Sequence, residues 1–432
     1  MGFIDRLYST VFQEDEDTRV CTDISEAACT GVPGNFTRIL ASSTATSVSD
    51  EMASAKTVLP WLLSSLGASP FWIGLLVPVR ESMSLLPQLF IAGSVRRMPR
   101  RKTAWIIGGV LQALMLAAVA ATAFWAGGPW SGALVVGFVL LFSLARGLTS
   151  IASKDVIGKT IPKRRRGRLT GAKSAVAGLL TLGVGSLVVR YIGDGARPEA
   201  IALLVMGAAA LWLIASGIFA LVDEEPGAVE GGRNGFPEAV KRLAVIKTDP
   251  AFRRFVLTRA LFVSTALAGP YYVILAREYS SGGALLGFFI LASGLASALS
   301  SVIWGAFADR SSRNVLVFAA ASASVLGAAM FAMDRTGALR AAPWIAPVTF
   351  FLLSVAHAGV RIGRKTYILD LAGGQKRTDY VAVGNTVIGI VLLLSSLVGT
   401  LSGLVGYSGV LLILAVFGLL GVALGFGLPQ VE

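Results

Sequence analysis

From Tyr380 to Leu428 the chain runs for 49 residues without one charged side chain. As a single helix this stretch would be about 74 Å long at about 1.5 Å per residue, more than twice the roughly 30 Å of a bilayer's hydrocarbon core. It must fold back on itself, and Gly406, Tyr407, Ser408 and Gly409 supply the turn chemistry. Shorter uncharged windows recur at Ala104–Ala126, Ala200–Val222, Gly283–Ala308, Val315–Met333 and Ala341–Val360. Gly132–Ala152 and Phe255–Ala276 carry one Arg each, Leu169–Val189 carries Lys173, and Ile39–Leu66 and Phe71–Ile91 carry several charges. The expected fold is therefore an all-α membrane protein with twelve transmembrane helices. Composition agrees: 54% of residues are hydrophobic and 15% charged, against roughly 25% charged in an ordinary soluble chain.

The same composition excludes other classes. One histidine, His357, and two cysteines, Cys21 and Cys29, leave no multi-ligand metal site and no histidine-based hydrolase. No nucleophile–base–acid set is evident, so neither an enzyme nor a cofactor is expected. The net charge of +13 does not mark a nucleic-acid surface, because Lys and Arg fall in short gaps between apolar stretches rather than on one polar face. Numbering the spans 1 to 12, the gaps after spans 2, 4, 6, 8 and 10 hold twenty-six Lys and Arg, and the opposite gaps only five. By the positive-inside rule the basic gaps, and with them both termini, are cytoplasmic. The expected setting is a bacterial inner (plasma) membrane, with anionic lipid headgroups as partners of the basic gaps.

Residues 1–33 form an acidic cytoplasmic tail, with Cys21 and Cys29 expected to stay reduced there. Residues 34–222 hold the first six spans, 223–254 a cytoplasmic linker, 255–428 the last six spans, and 429–432 a short cytoplasmic end. In the linker, Phe236, Val240, Leu243 and Ile246 alternate with Lys241, Arg242 and Lys247, the pattern of an amphipathic helix lying on the membrane.

The chain repeats itself. Lys154, Arg166 and Gly178 recur 211 residues later as Lys365, Arg377 and Gly389. Thr37, Arg38, Leu40, Ser43 and Thr44 recur as Thr258, Arg259, Leu261, Ser264 and Thr265, and Gly93 and Arg101 recur as Gly305 and Arg313. These matches lay spans 1–6 over spans 7–12 in the same orientation, a plan that places a substrate site between the halves near the bilayer midplane.

On these residues the chain resembles the major facilitator superfamily over about residues 34–428. The most specific mark is Gly305, Asp309, Arg310 and Arg313, matching the family's Gly-x-x-x-Asp-Arg-x-x-Arg signature after span 8. The first-half copy keeps Gly93 and Arg101 but has Arg97 where the family has Asp. The resemblance implies that both loops act as charge latches on the cytoplasmic gate. Asp155 at the end of span 4 is the substitute acceptor for Arg97 or Arg101. It further implies a permease working by alternating access, with a cavity lined by spans 1, 2, 4 and 5 and by 7, 8, 10 and 11. Two marks of the superfamily's proton-driven drug exporters are missing: the Gly-Pro-x-x-x-Gly motif of span 5 and the Gln-Gly pair after the span 4 Arg.

Charge at bilayer depth is costly, about 2.5–3.5 kcal/mol per residue on insertion scales, and by default functional. Span 1 carries Ser43, Thr46, Ser47, Asp50, Ser54 and Thr57 at helical spacing, a polar stripe unsuited to lipid. Asp50 lies roughly 18 Å from the start of the span, close to the midplane. Glu51 points about 100° away from it and Lys56 about 120° the other way. Span 2 adds Arg80 and Glu81, and span 4 adds Arg146. Asp50, Glu51 and Glu81 are the candidates for proton coupling, because a carboxylate that gains and loses a cationic partner as a gate moves takes up and releases protons. Arg80 or Arg146 is the candidate to hold an anionic substrate group. Tyr271 and Tyr272 of span 7 would pack on an organic substrate or anchor the span at the outer surface, and His357 of span 10 is a second titrating candidate. Arg38 and Arg259 read as residues snorkelling to the interface. Gly178, Gly183 and Gly185 allow close helix contact. The expected function is secondary active transport of a small organic solute, proton-coupled, by a monomer. Its alternatives are an uncoupled facilitator, a lipid translocator, and a transporter-like receptor or scaffold.

Overall fold

The computed structural model describes residues 29–86, 95, 97–125, 128, 130–192, 197–226, 243–308, 310–372 and 376–431, and the regular elements among these are all helices, without a strand. The helices are α1 (Val32–Met52), α2 (Val58–Ser65), α3 (Pro70–Leu85), α4 (Lys102–Trp125), α5 (Ser131–Thr160), α6 (Lys163–Tyr191) and α7 (Pro198–Ala220). After the linker come α8 (Val245–Thr248), α9 (Pro250–Phe262), α10 (Ser264–Tyr279), α11 (Gly283–Ala308), α12 (Ser312–Arg335), α13 (Ala338–Ala341), α14 (Ile345–Leu371), α15 (Lys376–Ser395) and α16 (Ser402–Phe426), with a 3₁₀ turn at Ser396–Leu401. Prolines at the first turn of α1, α3, α7 and α9 start these helices without losing a hydrogen bond. The carboxylate of Asp249 caps α9 by accepting from the Phe252 amide at 3.0 Å.

Nine helical stretches among the described residues are long and apolar enough to cross a membrane. The predicted spans map onto them with two physical differences. Val383–Phe426 is one such stretch, but Gly406 interrupts it at φ 74°, ψ 171°, the left-handed turn expected of a glycine between spans 11 and 12. Among the described residues, spans 1 and 2 are not among these stretches. Span 1 is split into α1 and the eight-residue α2, and α3 is 16 residues long. Two other expectations are corrected or untouched. Cys29 is disulfide-bonded rather than reduced. Most of the linker's amphipathic segment lies outside the described residues, which resume at Leu243.

The repeat is visible in the packing. In the first half α7 packs on α1 and α4, and α5 packs on α3 and α4. In the second half α16 packs on α9, α10 and α12, and α14 packs on α11 and α12. These are the same span pairs shifted by six. The halves meet along two seams, α6 on α11 and α3 on α15. The repeat-related glycines mark these seams. A Cβ on Gly178 would stand 2.9 Å from the Ala298 side chain, and one on Gly389 would stand 2.8 Å from Leu86. Gly185 is likewise pressed on Leu291, whereas Gly183 faces open space. Small residues let the backbones approach where lipid offers no hydrophobic drive.

Candidate functional site

Span 1 breaks between Met52 and Val58, one turn beyond Asp50. An unwound segment at membrane depth must satisfy its freed backbone groups, and here Arg80 of α3 donates from Nη1 to the Ala53 carbonyl at 2.8 Å. The same guanidinium donates from Nη2 to Asp50 Oδ1 at 3.0 Å, and its face lies 5.2 Å from the Phe142 ring centroid. Arg146 of α5 grips Asp50 in bidentate fashion, Nη1 to Oδ1 at 2.6 Å and Nη2 to Oδ2 at 2.7 Å. Spans 1, 2 and 4 thus converge on one carboxylate. Bidentate, charge-assisted bonds of this kind are among the strongest a protein makes.

This cluster stands at the wall of a cavity between the halves. The cavity has two lobes of 590 and 330 Å³ that share Lys56, Glu81, Ser84, Arg146, His357 and Arg361. Asp50, Glu51 and Arg80 line the smaller lobe. Glu51 reaches across the halves, accepting from the Ser293 hydroxyl of α11 at 2.7 Å. Lys56 and Glu81 line both lobes, and among the described residues neither side chain makes an ion pair within 4.0 Å. His357 Nδ1 lies 3.0 Å from Thr265 Oγ1, joining spans 10 and 7. The rest of the span 1 stripe is less exposed than its pattern implies. Ser43, Thr46 and Ser47 bond back to their own helix, while Ser54 lines the smaller lobe.

At the end away from the basic gaps the halves close. A Cβ on Gly74 would stand 2.6 Å from the Gly399 Cα, and the Tyr271 hydroxyl is wedged against the same pair. Arg277 lies 5.5 Å from the Trp61 ring centroid across this closure. Tyr271 and Tyr272 are 4% and 0% exposed. Tyr271 is packed in this seal and Tyr272 is buried edge-on against Phe350; neither is among the cavity's lining residues.

Three of the site's residues lay outside the sequence reading. Arg361 and Arg364, assigned to a basic gap, belong to α14, which continues to Leu371, and both line the larger lobe. With His357 they fall at i, i+4 and i+7, the spacing of one helix face; that register was the signal available. Arg259 does not snorkel. It is 7% exposed, lines the larger lobe, and donates from Nη2 to Asn385 Oδ1 at 2.9 Å. Its repeat partner Arg38 instead donates to the Leu221 carbonyl at 2.6 Å.

The loop residues are anchored within their own halves. The carboxylate of Glu224, itself 2% exposed, accepts from the amides of Arg101 at 3.0 Å and Lys102 at 2.7 Å and from Lys159 Nζ at 3.0 Å. Glu224 is thus the acceptor for the backbone of the Arg101 segment. Arg313 donates to the Leu428 carbonyl at 3.1 Å, and Arg310 is exposed. Each basic loop is thus tied to the last span of its half. Gly93 and Asp309 lie outside the described residues, Arg97 follows a break in them, and Gly305 sits near the end of α11.

Two repeat-related helical halves around a charged central cavity form the fold of a solute transporter. The sequence model of the Major Facilitator Superfamily matches residues 40–333, and the chain belongs to that family. An uncharacterized protein of Mycobacterium tuberculosis and its counterpart in Mycobacterium bovis are each 28% identical over 294 residues, 64% of this chain and 56% of theirs, so the match spans little more than half of those relatives. Among solved structures, the nucleoside transporter NupG aligns with a TM-score of 0.72 at 11% identity, covering 91% of this chain and 100% of NupG. A D-xylose–proton symporter aligns with a TM-score of 0.65 at 14% identity, covering 94% of this chain and 98% of its own. A POT family transporter in complex with a thioalcohol-conjugated peptide aligns at 0.67 and 11% identity, covering 94% and 97%.

Proposed function

We propose that this protein carries a small organic solute across the membrane by alternating access, with transport coupled to protons through Asp50. The observation that carries the reading is the three-way junction of Asp50 with Arg80 and Arg146 at the wall of the inter-half cavity. Asp50, Arg80 and Arg146 all belong to the first half, so the coupling movement in this reading is a bend of span 1 at its break between Met52 and Val58, which shifts Asp50 against spans 2 and 4 as access changes. Loosening the Arg146 grip would raise the carboxylate's proton affinity, and restoring it would expel the proton. Glu51 and Glu81 supply further carboxylates in the same cavity, and Glu51 also reports the approach of the halves through Ser293. The similarity to a proton symporter of xylose is consistent with this chemistry.

In the same reading the chain acts as a monomer with both termini cytoplasmic, the Gly93 and Gly305 loops brace the two halves at the basic end, and anionic lipids associate with the basic gaps. A second reading, an uncoupled facilitator, draws on the Arg80 bond to the Ala53 carbonyl, which gives that arginine a static task. Proteoliposomes loaded with a pH-sensitive dye separate the two. Solute added on one side moves luminal pH if transport is proton-coupled. Solute uptake without pH change would establish the facilitator.

A further inference from the structure

The larger lobe holds more positive charge than the protein itself neutralises. Arg259, Arg361, Arg364 and Lys365 line it from the second half, Lys56, Arg146 and Lys154 from the first, and Glu81 is its one carboxylate. Asp50 engages Arg146, and the remaining six cations form no ion pair within 4.0 Å among the described residues. Topology accounts for charges at the ends of spans, but Arg361 stands ten residues, about 15 Å, before the end of α14. Arg259 is the sharper case. Its repeat partner Arg38 shows that this position in the fold is served by an arginine turned to a backbone carbonyl. Arg259 instead turns inward, is 7% exposed, and has its Nε buried without a hydrogen-bond partner. An unpaired buried cation is costly unless something brings the opposite charge.

The smaller lobe has a different chemistry. Ser293, Ser297 and Ser300 line it at i, i+4 and i+7 of α11, opposite Ser54 and Ser354. At 590 and 330 Å³ the lobes fall in or near the roughly 300–1,000 Å³ range of small-molecule sites.

We propose that the transported solute is an organic anion, its carboxylate or phosphate held by Arg361, Arg364 and Arg259, its hydrogen-bonding body directed to the serine-lined lobe. This deepens the transport reading and rests on it for the word transported; the binding site itself stands on the cavity alone. Arginine suits the task because its planar fork matches both anion types.

The test uses the full-length purified protein at fixed ionic strength, with thermal unfolding as the readout. Succinate and glucose 6-phosphate are the anionic probes, and succinamide and glucose their neutral counterparts. Stabilisation by succinate alone identifies a carboxylate site, by glucose 6-phosphate alone a phosphate site, and by both a shared anion site. Each supports the inference if Arg361→Gln and Arg364→Gln, folded by their ligand-free melting, lower the apparent affinity at least about tenfold, as expected for losing a charge-assisted pair. Arg364→Lys should retain part of the effect, which separates charge from packing. Equal stabilisation by the neutral compounds, no stabilisation by either anion, or full binding in the Gln variants would overturn it. Anion binding without transport in proteoliposomes would refute the transport reading and leave this site standing. Gradient-driven transport of the neutral probes alone would do the reverse.

Discussion

Alternating access requires the seal at Gly74 and Gly399 to open, and its geometry makes that requirement measurable. In Gly74→Ala the new Cβ would lie 2.6 Å from the Gly399 Cα and 3.1 Å from the Tyr271 hydroxyl, against 3.4 Å for ordinary contact. The nearest obstacle is backbone, so the halves must separate by about 0.8 Å to accept a methyl group. Overpacking of this kind costs about 1–3 kcal/mol. The cost falls on the state with this end closed and not on a state with it open. As a difference between two states it shifts their ratio by about 5–150-fold. Nitroxide labels at Ser69 and Ser281, both exposed at this end and on opposite halves, in a variant lacking Cys21 and Cys29, read the shift by pulsed electron spin resonance. The long-distance population should grow in Gly74→Ala and in Gly399→Ala, and stay unchanged in Gly183→Ala, where a Cβ meets open space. An unchanged distance distribution in a Gly74→Ala protein destabilised by that amount would show that no open state exists to receive the population.

Other parts of the structure yield further outcomes. Glu224→Gln removes the charge that answers Lys159 in a buried hub and should lower stability by about 3–5 kcal/mol, read as a drop in the thermal unfolding midpoint; an unmoved midpoint would show the loop anchor to be dispensable. Ser293→Ala and Glu51→Leu each remove one partner of the inter-half hydrogen bond, worth about 1.5–3 kcal/mol for a charged acceptor. Together they should cost little more than either alone, so strict additivity in a double-mutant cycle of unfolding free energies would rule the contact out as an energetic link.

The spans were legible because burial in lipid imposes a long apolar run that few other folds need. The turn at Gly406 was legible because 49 uncharged residues cannot cross once. Asp50, Arg80 and Arg146 were legible as charges too deep to be accidental, although their mutual geometry was not. That geometry depends on which carbonyl the span 1 break sets free, and no periodicity encodes the break. Arg361 and Arg364 were lost for the opposite reason. They follow the last uncharged window closely, so a rule built on uncharged runs ended span 10 at Val360, whereas α14 continues to Leu371. Arg259 was misread because the repeat gives it the same role as Arg38, whereas Arg38 turns to the Leu221 carbonyl and Arg259 to the Asn385 side chain. Tyr271 and Tyr272 carried no sequence signal separating a seal from a substrate wall. Glu224 was missed because it is the middle of three consecutive acids after span 6, Asp223 to Glu225, and nothing in the sequence singles it out until three donors converge on it.

The central claim is that the Asp50 carboxylate moves protons as the cavity changes access. Asp50→Asn tests it most directly. The substitution removes attraction worth about 4 kcal/mol per cation at 4 Å and an effective dielectric of 20, leaving Arg80 and Arg146 in place while nothing at position 50 can titrate. In proteoliposomes carrying a proton gradient and the solute found by the anion screen, the account predicts loss of uphill accumulation with solute-for-solute exchange retained. Accumulation at the unmodified level by Asp50→Asn would contradict it, and the same result with Glu81→Gln would exclude the second carboxylate of the cavity as well.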